Sequence, residues 1–103
     1  MIKVSVLYPN EEGKKFDMDY YLNSHLPMVQ EKLGDAIKGG AVEQGLGGVE
    51  PGSPAIYVAM AHLLFDTAEA FQSAFGPHAE AIMADFPNYT DIQPTFQISE
   101  VKM

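Results

Sequence analysis

At the start of the chain apolar side chains fall at every second position: Ile2, Val4, Val6 and Tyr8. That period predicts a strand over residues 2–8, stopped by Pro9 and Asn10. A polar stretch from Glu11 to Lys15 follows, and then the period changes. Met18, Leu22, His25, Val29 and Leu33 recur at spacings of four, three, four and four, which places them on one helical face. Asp17 is positioned as the N-cap of this helix and Gly34 as its stop. Pro27 lies inside it and has no N–H for the carbonyl of Asn23, so a kink is expected near His25.

The region from Ile37 to Leu46 predicts a second strand, and Gly39 and Gly40 make it a bulged edge strand. Gly47 to Pro54 is a connecting loop. Ala55 to Phe65 is the strongest strand. One face carries Ile56, Val58, Met60, His62 and Leu64, and is assigned to the helices; the other carries Tyr57, Ala59, Ala61, Leu63 and Phe65. Both faces are apolar enough to need cover. Asp66 or Thr67 caps a second helix with Ala68, Phe71 and Phe75 on its apolar face. Gly76-Pro77 interrupts it, and Pro77 starts a further segment with Ile82 and Met83 as apolar positions. Phe86 to Asp91 is a loop. A last strand over residues 92–101 sets Phe96 and Ile98 against Thr95, Gln97 and Ser99.

Strand, helix, strand, strand, helix, strand within 103 residues is the split βαβ order. The expected fold is α+β, a ferredoxin-like βαββαβ unit. Its four-stranded antiparallel sheet has both helices on one face and strands one and three at the centre. Residues 1–103 are expected to form a single domain. The uncovered face is expected to carry Tyr57, Ala59, Ala61, Leu63, Leu7, Thr95 and Gln97. That is more apolar surface than is usually left in water, so a homodimer through the open sheet face, a dimeric α/β barrel, is expected.

Charge narrows the choice of partners. Fourteen Asp and Glu face six lysines and no arginine, a net charge of -8. Such a chain repels nucleic acid and anionic lipid and lacks the bidentate phosphate clamp that arginine supplies. Nucleic acid and membrane are not expected partners, and no run is apolar and long enough to span a bilayer. Without a cysteine there is no disulfide, thiolate metal site or cysteine nucleophile. Cytoplasmic localisation is the default expectation. No Gly-x-Gly-x-x-Gly or P-loop occurs, so no cofactor is predicted.

The segment Phe16-Asp17-Met18-Asp19-Tyr20-Tyr21-Leu22-Asn23-Ser24-His25-Leu26-Pro27-Met28-Val29 resembles the opening motif of the EthD-like family within the dimeric α/β-barrel superfamily. Met83-Ala84-Asp85-Phe86-Pro87-Asn88-Tyr89-Thr90-Asp91-Ile92-Gln93-Pro94 resembles that family's second hallmark. The similarity extends to strand three and Phe65-Asp66. The family takes its name from an association with the degradation of ethyl tert-butyl ether, and its members are often labelled reductases or oxidoreductases. Relatives in the superfamily include cofactor-independent monooxygenases, polyketide cyclases, muconolactone isomerases and haem-degrading enzymes. The resemblance implies a pocket between helices and sheet, and a role in catabolism.

His25 is the residue best placed for chemistry. An imidazole on the buried stripe of a perturbed helix can serve as general acid or base near neutral pH; the alternative is a core histidine satisfied by a backbone carbonyl. Tyr21, one turn earlier, is positioned to orient it or to bind a substrate oxygen. His62 is expected to face the same cavity or to end its strand in solvent. Met18, Leu22 and Phe71 would supply apolar walls. Asp-Phe-Pro-Asn-Tyr is first of all a helix stop and turn. Asp85 and Tyr89 could also close one end of the pocket, with Asp85 polarising a histidine. No two histidines sit on adjacent turns, so no metal site is expected. Three readings remain open: an oxidoreductase-like or cofactor-independent proton-transfer enzyme acting on a small hydrophobic molecule, an accessory protein that binds such a molecule unchanged, or a structural dimer with no pocket, its core filled by Met28, Phe71 and Phe75 around His25.

Overall fold

The computed structural model describes residues 1–103. Strand β1 (Ile2–Pro9) lies between β3 (Tyr57–Phe65) and β4 (Thr95–Glu100), and β2 (Gly39–Gln44) pairs with the far edge of β3. The order is β2-β3-β1-β4, and every neighbouring pair is antiparallel. The two strands with the most continuous apolar content therefore hold the centre.

The first helical run consists of α1 (Met18–Tyr20), a π turn (Tyr21–His25) and α2 (Leu26–Leu33). After β3 come α3 (Ala68–Phe75), a 3-10 turn (Gly76–His78), α4 (Ala79–Ala84) and a second 3-10 turn (Phe86–Asn88). The capping chemistry is as the sequence predicts. The Asp17 carboxylate accepts the Tyr20 N–H at 3.1 Å and the Thr67 hydroxyl accepts the Ala70 N–H at 3.0 Å. Gly34 leaves α2 at φ +55°, a left-handed conformation that a side chain would strain.

The kink expected near His25 takes the form of the π turn, in which the Leu26 N–H reaches back five residues to the Tyr21 carbonyl. Pro27 has no N–H with which to restore the α-helical bond to Asn23. The wider turn changes which residues face inward. Tyr21, His25, Val29 and Leu33, four apart, are buried, whereas Leu22 is 46% exposed and not part of the inward stripe as its spacing suggested.

All helices cover one face of the sheet, and β1 decides which face of β3 they cover. Val4, Val6 and Tyr8 stand opposite Leu63, Ala61 and Ala59, and this set faces the helices. The sequence expectation was the reverse: Ala59, Ala61 and Leu63 are core residues, and Met60, His62 and Leu64 lie on the uncovered face with Lys3, Ser5 and Leu7. Both faces of β3 are apolar, so its own alternation carries no preference. The small side chains of Ala59 and Ala61 make room for the Tyr8 and Tyr21 rings, with which they form one buried cluster. Thr95 and Gln97, opposite Leu7 and Ser5, do lie on the uncovered face.

Strand β2 is an edge strand but has no bulge: Gly39 to Gln44 pair with β3 in unbroken register. The register shifts instead between Tyr8 and Pro9, opposite Tyr57. Gly40 serves close approach. A Cβ there would sit 2.5 Å from the His62 carbonyl oxygen.

Candidate functional site

Backbone and side-chain bonds stitch residues 15–17 onto residues 89–91. The Asp17 N–H donates to the Tyr89 carbonyl at 2.7 Å, the Lys15 N–H to Asp91 Oδ1 at 2.8 Å, and the Thr90 hydroxyl to the Lys15 carbonyl at 2.6 Å. This clamp sets the π turn beside the end of α4, and there His25 meets Asp85.

His25 is 3% exposed, and its Nδ1 lies 2.9 Å from Asp85 Oδ2. The other carboxylate oxygen of Asp85 accepts from the Tyr20 hydroxyl at 2.7 Å and from Asn88 Nδ2 at 2.8 Å. Burial by itself would raise the Asp85 pKa. The bonds from Asn88, Tyr20 and His25 outweigh it and hold the carboxyl below its ordinary value. For His25 burial dominates and pushes the imidazole pKa down, against the opposing pull of the Asp85 bond and charge. At neutral pH the ring is therefore uncharged. Because an ionised carboxylate only accepts, Nδ1 carries the proton and Nε2 the lone pair.

Aromatic rings fix the imidazole plane. Tyr21 stacks on it at 5.5 Å and 14°, Tyr89 lies 4.7 Å away, and Phe86 meets it edge-on at 5.6 Å. Residues 21 and 25, four apart, share one helical face, which brings their rings together in the stack. Below, the Tyr8 and Tyr89 hydroxyls share a hydrogen bond of 2.8 Å. Burial first, then neighbouring hydroxyls, push the Tyr8 and Tyr21 phenols far above their usual pKa, and burial does the same to Tyr89. All three stay protonated.

One edge of His25 thus faces Asp85, and the ring lines a cavity of about 220 Å³ between the helices and the sheet. Sixteen of its seventeen lining residues are aliphatic or aromatic, His25 is the seventeenth, and no Lys, Arg, Asp or Glu is among them. Nε2 has no protein partner, and no unpaired polar side-chain atom is sealed from solvent, so Nε2 is open to the cavity. The Tyr21 hydroxyl, whose residue also lines the cavity, has the Tyr8 hydroxyl as its polar neighbour. The mouth lies between β4 and α4, where Met83, Phe96 and Ile98 are each about half exposed. On the solvent side, Asp85 with Tyr20, Ser24, Lys32 and Asn88 borders a shallow polar groove.

The other residues singled out in the sequence fall elsewhere. Phe71 lines the cavity. Met18 packs against the buried tyrosine cluster but does not reach the cavity, and Leu22 points to solvent. Tyr89 supports the His25 ring from the core, and Asp85 is the partner of His25, not a wall of the cavity. His62 lies across the sheet from His25. On the uncovered face its Nδ1 is 2.9 Å from the Ser5 hydroxyl and its Nε2 3.6 Å from Glu43. Three contributors were not read from the sequence. Tyr8 looks like any core residue of β1, and Tyr20 like a polar-face residue of its helix. Asn88 carried one usable signal, its place three residues after Asp85.

Residues 11–93 match the EthD domain family. An EthD-like protein from Ralstonia eutropha JMP134 is 47% identical, with 99% of this chain and 92% of that one covered, and superposes with a TM-score of 0.94. An ethyl tert-butyl ether D (EthD) family protein from Bacillus halodurans C-125 is 22% identical over 99% of both chains, with a TM-score of 0.67. A dimeric protein of unknown function with a ferredoxin-like fold, from Bacteroides fragilis NCTC 9343, is 13% identical over 97% of this chain and 95% of that one, TM-score 0.53. The last two are similar in fold alone. No curated protein matches the sequence significantly.

Proposed function

The chain belongs to the EthD family, and from that premise we propose that it is a cofactor-independent proton-transfer enzyme acting on a small hydrophobic molecule in the helix–sheet cavity. One observation carries the reading: a buried Asp85–His25 pair whose free nitrogen is open to an otherwise apolar cavity. The substrate gives a proton to Nε2. Asp85 keeps Nδ1–H in place and stabilises the imidazolium that forms, so the ring does not reorient during transfer. The Tyr21 hydroxyl donates to the oxygen on which negative charge develops. Apolar walls exclude water and sharpen both interactions. Of the oxidoreductase-like and proton-transfer activities expected for such a chain, proton transfer is the one these groups support.

Hydrogen–deuterium exchange tests it. 4-Methylacetophenone in D₂O, followed by proton NMR, should exchange its methyl-ketone hydrogens faster with the protein than without it, and His25→Leu should abolish the gain. A ketone that binds and is recovered unexchanged would favour the second reading, a carrier. The predominance of hydrophobic residues in the cavity wall is the observation behind that reading.

The working unit we propose is one domain over residues 1–103, paired with a second copy across the uncovered sheet face. Leu7, Met60 and Leu64 are only partly buried there, and the accessible surface of 6581 Å² exceeds the ~5,700 Å² typical of a monomer of this mass. The excess is of the order one partner contributes to a standard interface, roughly 800 Å². Leu46 and Val49, in the loop between β2 and β3, are almost fully exposed and add to the apolar surface that a partner would cover.

A further inference from the structure

We infer that the cavity selects neutral weak acids: small molecules with an apolar body and a single O–H or activated C–H hydrogen, to the exclusion of anions and of ligands that only accept hydrogen bonds. This rests on the proton-transfer reading of the same site and names its ligand class.

Nε2 of His25 is an acceptor, because Asp85 claims the ring's only proton. A ligand that brings a hydrogen satisfies it. A ligand that brings only an ether or carbonyl oxygen faces it lone pair to lone pair and must turn to the Tyr21 hydroxyl alone. Anions meet no cation in the lining, and the chain as a whole carries a net charge of -8, which opposes their approach. Stripping a carboxylate of water without a counter-charge is far more costly than burying a hydroxyl that keeps one hydrogen bond. Size sets the remaining limit. About 220 Å³ exceeds the roughly 150 Å³ that accommodates a benzene ring in an apolar core, so a one-ring ligand fits. Entry past Met83, Phe96 and Ile98 adds no polar contact.

The titratable groups around His25 are Asp85 on its Nδ1 side, Tyr20 behind Asp85, and Tyr21, Tyr89 and Tyr8 from the π turn, the 86–91 segment and β1. The tyrosines stay neutral through the working range, so His25 and Asp85 alone set the charge. Acid that protonates Nε2 turns it from acceptor to donor, and the preference should shift toward acceptor-only ligands.

Calorimetric titration of the intact protein with p-cresol, p-xylene, 4-methylanisole and 4-methylbenzoate tests the inference. At pH 8, p-xylene and p-cresol should both bind, and 4-methylbenzoate should bind at least a hundredfold more weakly than p-cresol. His25→Leu should lower the p-cresol to p-xylene affinity ratio about fivefold, the worth of one neutral hydrogen bond. Should that variant not fold, the wild type serves: its p-cresol to 4-methylanisole ratio should fall as the pH drops through the His25 transition. Equal loss of p-cresol and p-xylene on substitution, or a pH-independent ratio, would overturn the ligand class and leave the cavity intact. Binding of none of the four would remove the cavity itself, and exchange of 4-methylacetophenone with no preference for p-cresol would keep the enzyme reading and discard this one.

Discussion

At the scale of single residues, His25 and Asp85 are tied by opposing influences. Burial drives the imidazole toward neutrality, and Asp85 partly opposes it. Asp85→Asn removes the opposing charge, so the His25 pKa should fall further in an NMR titration; a rise would mean that burial is not the dominant influence. The same balance gives stability a pH dependence of definite sign. The folded His25 pKa lies below its unfolded value of 6.5, so between the two the unfolded chain binds more protons. The contribution is fully present above pH 6.5 and is lost as pH falls through the folded value. Asp85, also depressed, adds a second loss in the same direction below 3.8. Urea denaturation from pH 8 downward should therefore show falling stability, with the upper part of the slope absent in His25→Leu. His25 was legible in the sequence because a histidine interrupts an apolar stripe. His62 was misplaced because β3 is apolar on both faces, so that only its pairing with β1 fixes the side on which each residue lies.

At the scale of elements, order and number were readable from period and punctuation, and the faces they present were less so. Asp17, Thr67 and Gly34 act at the helix ends where residue type demanded. Thr67→Ala should destabilise the fold by about 1 kcal/mol, the usual worth of an N-cap side chain, as measured by denaturant unfolding. The π turn was foreseeable only as a disturbance at Pro27, since a missing N–H can be absorbed as a kink, a break or a wider turn. Which of these occurs depends on the Tyr21–His25 stack and the clamp between residues 15–17 and 89–91. Pro27→Ala restores the donor for Asn23. We expect it to change stability by no more than about 1 kcal/mol while weakening p-cresol binding, because a regular α-helical turn would change the angle at which residues 21–25 join α2 and so re-aim the His25 ring relative to Asp85 and the cavity. Unchanged binding would show that the stack, not the proline, sustains the turn.

For the whole molecule, a two-layer shape leaves one sheet face open. The shortest extent is 19 Å, and the radius of gyration of 14.1 Å exceeds the ~13 Å of a compact domain of 100 residues. The apolar excess behind the expected dimer was legible, but its composition was not. The uncovered face carries Leu7, Met60 and Leu64 around a polar chain of Ser5, His62 and Glu43, in place of the Ala59, Ala61 and Leu63 that the alternation suggested. Sedimentation should find a dimer at micromolar concentration, and Met60→Asp should convert it to a monomer by placing an unpaired charge in the contact. A wild-type monomer at tens of micromolar would refute the pairing. Inside the core, Tyr8→Phe removes the hydroxyl bonded to Tyr89 and should reduce stability by roughly 1 kcal/mol.

Whether His25 presents an unprotonated Nε2 to the cavity is read directly by nitrogen-15 NMR of the histidine rings at pH 8. His25 should be the Nδ1–H tautomer, and adding p-cresol should shift its Nε2 resonance while leaving His62 unmoved. An Nε2–H tautomer or an imidazolium at that pH, or no response to p-cresol, would contradict this reading of the site.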